Sequence, residues 1–76
     1  MKEFIGTCVN NPFERIELLV EITEGAKKIS KKKFFENCFI HPDIIKIIKK
    51  YPYDYEFYQY KDIMFYIWSG IEHFYK

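Results

Sequence analysis

The residues with chemistry to offer are few. Cys38 and His41 form a Cys-x-x-His pair in "CFIH", and Cys8 and His73 are the two further donors a tetrahedral zinc site would need. Structural zinc sites usually combine two compact pairs, whereas here one pair is compact and the other two ligands are scattered. The expectation is therefore no metal and no other cofactor. Cys38 then reads as a buried free thiol, and His41 as a helix cap or a surface residue. The same four residues could be combined into a nucleophile and a base. That chemistry needs the two held within hydrogen-bond reach, and nothing in their spacing enforces it. No Gly-rich phosphate loop occurs, and no carboxylate pair stands apart from surface charge. The chain reads as non-enzymatic.

Binding chemistry is better represented. "YPYDYEFYQY" (51–60) holds five tyrosines and a phenylalanine, and eleven Phe, Tyr and Trp residues fall between 51 and 75. A small core cannot use every ring. Tyrosine tolerates the surface because its body packs while its hydroxyl stays wet, and it is enriched at protein interfaces. Tyr51, Phe57 and Tyr60 are expected in the core. Tyr53, Tyr55 and Tyr58 are expected to be exposed beside Asp54, Glu56 and Gln59. Two competing uses of the rings are simple core filling and the stacking of bases.

Three further patterns are candidate faces. Glu14, Glu17, Glu21 and Glu24 recur at helical spacing and predict an acidic face, either solvated, paired internally or offered to a cationic partner. Asp62, Tyr66, Ser69 and His73, flanked by Trp68 and Glu72, form the polar side of an otherwise apolar segment and a second docking face. The third is basic: Lys27, Lys28, Lys31, Lys32, Lys33, Lys46, Lys49 and Lys50 give residues 27–50 a balance of +6, against −5 for the remainder. Basic patches attract phosphate backbones. Base-edge reading leans on arginine, however, and Arg15 is the only one. Lysines and aromatics also lie in different segments, whereas single-strand binders interleave them.

These residues must be positioned by short elements. "NNPFERIELLVEITEG" (10–25) predicts a helix with Asn11 as N-cap, Pro12 at the first position and Gly25 as the stop. Its apolar side would be Phe13, Ile16, Leu19, Val20 and Thr23. "ISKKKFFENC" (29–38) predicts a helix opened by Ser30, and "HPDIIKIIKKY" (41–51) one with Pro42 in its first turn. "KDIMFYIWSGIEHFYK" (61–76) has helical period, with Ile63, Ile67, Gly70, Ile71 and Phe74 on one side. Residues 51–57 alternate like a strand, but a turn or a helix running into residue 61 is favoured. The predicted fold is an all-α bundle of three to four helices. The alternative is α+β, with a two-stranded ribbon from residues 3–9 and 53–59.

Seventy-six residues make one small domain, 1–76, and 49% apolar with 21% aromatic content is enough to fold. Two cysteines, abundant lysine and no leader-like start suggest a reducing, cytoplasmic setting, the host's if phage-encoded. The longest apolar run, "IMFYIW" (63–68), is far short of the roughly 20 residues that span a bilayer, so no membrane is expected. The functional expectation is a protein-binding module, an inhibitor of the kind phages and mobile elements direct against host or defence proteins. It would use an aromatic and acidic face and take a basic, partly apolar partner. The first alternative is a nucleic-acid-binding regulator using the lysines; the second is a homodimeric structural subunit of a larger assembly.

Overall fold

The computed structural model describes residues 1–76 and runs β1 (Phe4–Thr7), α1 (Ile16–Gly25), β2 (Lys27–Ile29), α2 (Lys31–Asn37), α3 (Pro42–Lys50), β3 (Tyr55–Tyr60), β4 (Ile63–Trp68) and β5 (Ile71–Tyr75). The strands form one sheet in the order β1-β5-β4-β3-β2, with every pairing antiparallel. This α+β fold replaces the expected all-α bundle. No helix is long and apolar enough to cross a membrane.

The correction centres on residues 61–76, expected as one helix and found as the β4–β5 hairpin. Its turn is Ser69–Gly70, with φ of 52° and 75°. Positive φ at both central residues is the two-residue hairpin turn whose twist matches the flanking strands. β4 is the central strand and is buried on both faces. Met64 and Tyr66 enter one core, with Phe34, Ile48, Phe57 and Tyr75. Ile63 and Phe65 enter the other, with Leu19, Ile22 and Phe74. A strand covered on both faces reads as a continuous apolar run rather than an alternation. Such a run fits a helical period equally well.

α1 covers the second core, while α2 and the inner side of α3 cover the first. The sheet is thus sandwiched between one helix and two. The strands of the α+β alternative exist but do not pair with each other: β1 joins β5, and β3 lies between β2 and β4.

α1 is shorter than expected. Asn11 Oδ1 accepts the Phe13 amide at 2.9 Å in a local turn, and the helix begins only at Ile16. The turn sends Phe13 onto Phe74, edge to face at 5.0 Å. Its inward residues are Leu19 and Ile22; Ile16 and Val20, expected inside, are 63% and 44% exposed. α2 and α3 start where expected. Ser30 Oγ accepts the Lys33 amide at 3.1 Å, and Pro42 opens α3 behind His41, whose Nδ1 accepts the Asp43 amide at 3.1 Å.

Candidate functional site

Beyond the ends of α2 and α3 the first face of the sheet is not fully roofed. A concavity of about 510 Å³ opens there. Its floor is Tyr55, Tyr66, Trp68, His73 and Tyr75, from β3, β4 and β5. Ile44 and Ile47 of α3 form one wall, and Phe4, Phe39, Glu3 and His41 complete the rim. Phe4, Phe39, Ile47 and Trp68 are all exposed, at 53%, 61%, 46% and 44%. Four large apolar side chains around one hollow is the kind of patch that marks an interaction site.

Strand geometry assembles the floor. Tyr66 and Trp68 are alternate residues of β4 and point to the same face. Antiparallel register sets His73 opposite Tyr66 and Tyr55 opposite Trp68. The rings meet as these pairings require: Tyr66 and His73 stack at 4.6 Å, and Tyr55 and Trp68 at 6.1 Å with planes 7° apart. Phe4 of β1 reaches Tyr75 edge to face at 5.7 Å.

The groove is electrically quiet. Burial holds His73 below its ordinary pKa, against the opposing pull of Glu72, and its Nε2 is buried without a hydrogen-bond partner. Burial raises the Tyr66 and Tyr75 phenols, so both stay protonated. Burial, with Asp54 adding to it, raises Tyr55 as well. Glu3 is the one carboxylate at the rim. The surface offers apolar area and ring faces.

Four of the expected partner-binding residues, Tyr55, Tyr66, Trp68 and His73, are brought together here. The others are dispersed. Asp62 and Ser69 lie in the turns at opposite ends of β4. Tyr58 is on the other face, stacked on Phe65 at 5.3 Å, and its hydroxyl donates to Glu56 at 3.1 Å. Tyr53 is 98% exposed in the loop before β3, next to the exposed Asp54. Three assignments of the rings are corrected: Tyr55 is 8% exposed and belongs to the core, Tyr58 is half-buried against the second core, and Tyr51 is 48% exposed. Phe57, at 5%, is core as expected; Tyr60 is only half-buried.

Glu17, Glu21 and Glu24 are exposed on α1, and Glu14 precedes the helix. None of the four is ion-paired. α1 packs on the opposite face of the sheet from the groove, so the rings and these carboxylates do not form one aromatic and acidic face. Of the lysines, Lys28 pairs with Glu56 at 3.8 Å and Lys32 with Glu36 at 3.9 Å. Lys27, Lys31, Lys33, Lys46, Lys49 and Lys50 are exposed without a carboxylate partner.

Cys38 is buried in the first core, donates to Met64 Sδ at 3.6 Å, and has its pKa pushed up to about 11 by burial. Cys8 packs against the other core, and no three metal-ligating side chains converge. Phe4, Phe39 and Glu3 were not singled out by sequence. They lie in short segments without usable periodicity, and only the pairing of β1 with β5 and the bridge of Lys2 to Cys38 bring them to the rim. No protein-family model, curated protein or solved structure matches the chain.

Proposed function

We propose that the protein is a non-enzymatic protein-binding module whose aromatic groove seats an apolar segment of another protein. The observation that supports this is the groove itself: four exposed large apolar side chains around a floor of stacked rings, with a single carboxylate at the rim. Aromatic anchors of this kind carry a disproportionate share of interface energy when a partner desolvates them. An inhibitor or adaptor that works by occupying another protein's surface needs only such a face. The partner's contacting surface is predominantly apolar, because the groove presents little charge.

The test compares capture by the wild-type chain with capture by Phe39→Ser and Ile47→Ser. Both side chains are exposed at the rim, so folding should be little affected. A partner retained by wild type and lost by both variants, with Trp68 emission shifting on its addition, is the expected result. A partner held equally by wild type and both variants refutes the groove as the binding face.

A further inference from the structure

We propose that a second concavity, beside β2, binds the sugar–phosphate backbone of a single-stranded nucleic acid, with Tyr60 as the platform for one base. The hollow measures about 570 Å³ and shares no residue with the aromatic groove, so either site can fail without the other.

Four cations converge on it from three elements: Lys27 and Lys28 from β2, Lys33 from α2 and Lys61 from the turn between β3 and β4. No acidic residue lines it. Only Lys28 has a carboxylate within reach, the exposed Glu56 at 3.8 Å. Lys27, Lys33 and Lys61 are left without counter-charge. β2 is also an edge of the sheet, so nothing pairs along its outer side and an extended chain has room there.

The fold supplies the interleaving that the linear sequence lacks. Lysines and tyrosines occupy separate segments of the chain. The β2–β3 pairing sets Lys27 opposite Gln59 on one face and Lys28 opposite Tyr58 on the other; Tyr60, one residue beyond the paired stretch and on the Tyr58 face, lines the same hollow, which wraps round the sheet edge. Lys61 Nζ lies 5.3 Å from the centre of the Tyr60 ring. An aromatic ring inside a cationic groove is the working unit of sequence-tolerant single-strand binding.

An acidic protein segment is the competing occupant. Lysine is depleted at protein interfaces, and its ammonium is a point charge suited to phosphate without directional demand. A base-stacking ring is also superfluous for a polyglutamate-like partner.

The experiment is fluorescence anisotropy of the full chain against a labelled oligothymidylate of about 12 nucleotides, over a sodium chloride series. Three or four phosphate contacts give a log–log salt slope between about −2 and −3. The double variant Lys27→Glu/Lys33→Glu should bind at least about tenfold more weakly at low salt, with a slope shallower by about 1.4. Tyr60→Leu should weaken binding about tenfold with the slope unchanged, while Tyr60→Phe retains it. Lys46→Glu/Lys49→Glu, on α3, should bind as wild type does. Because Tyr60 packs near Gly25, the exposed lysine pair carries the test if Tyr60→Leu fails to fold. Absence of binding at low salt overturns the proposal. So does equal weakening by the α3 pair. Competition by polyglutamate as effective as by oligothymidylate, with the same dependence on Tyr60, assigns the site to an acidic protein instead.

Discussion

Phe34→Ala should remove about half or more of the protein's stability. The side chain is fully buried at the centre of the first core. Its ring lies 5.1 Å from Phe57, 5.3 Å from Tyr75 and 5.8 Å from Tyr66, the last two edge to face. Truncating a buried phenylalanine costs about 3–5 kcal/mol, and each well-placed ring pair adds about 0.5–1.5 kcal/mol beyond area. Three such pairs put this site at the upper end, near 5 kcal/mol. A 76-residue chain at the usual stability per residue holds about 4–11 kcal/mol in total. The variant is therefore expected to retain at most about 6 kcal/mol, and to be unfolded at 25 °C where the wild type lies at the low end of that range. Guanidinium denaturation followed by near-ultraviolet circular dichroism gives the loss, with Phe34→Leu as a milder member that stays measurable. Phe35→Ala, at a half-buried position one residue on, should lose distinctly less. A loss below about 1.5 kcal/mol for Phe34→Ala would refute the reasoning, since α2 would then not pack on the sheet through this ring.

Two other outcomes follow from burial. Tyr55→Ala should lower the melting temperature by well over 10 °C, since a loss of 1 kcal/mol moves a domain of this size by about 4–8 °C; Tyr53→Ala, at a fully open position, should not move it measurably, and equal shifts would contradict the register of β3. Stability should also fall on acidification through His73. Its folded pKa lies below the ordinary 6.5, so the unfolded chain takes up the proton first. This contribution is whole above about pH 6.5 and is lost as pH descends toward the folded value. His73→Phe keeps a ring against Tyr66 and should flatten the urea midpoint between about pH 7 and 5; a midpoint that falls as steeply as in wild type would show that His73 is not responsible.

The helices were legible where local signals decide them. Ser30 and Pro42 mark the starts of α2 and α3 because capping and a fixed φ act within a few residues. The sheet was obscured because β4 is buried on both faces, which erases the alternation that identifies a strand. One local signal did distinguish the two readings. Ser69–Gly70, between two runs rich in β-branched and aromatic residues, is hairpin punctuation. It loses its meaning once Gly70 is counted into a helical stripe. The same mistaken period explains the mixed outcome for the site. Tyr66 and His73, seven residues apart, share a face because antiparallel register puts them opposite each other. Asp62 and Ser69 were drawn into the same stripe by helical spacing and lie instead in turns.

The groove follows from the lengths of the elements. α2 and α3 have seven and nine residues, or about 10 and 13 Å of helix. β3 and β4 have six residues each, or about 20 Å. Two helices shorter than the strands beneath them cannot roof the whole face. The sheet on the other side is sealed partly by loop residues: the Asn11 turn delivers Phe13 onto Phe74. On the groove side Ile40, between α2 and α3, seals part of the first core, but nothing covers the end of β4, where Trp68 keeps 44% of its surface exposed although it stacks on Tyr55. The same sheet that buries Phe34 under three rings therefore leaves its end rings exposed for a partner to cover.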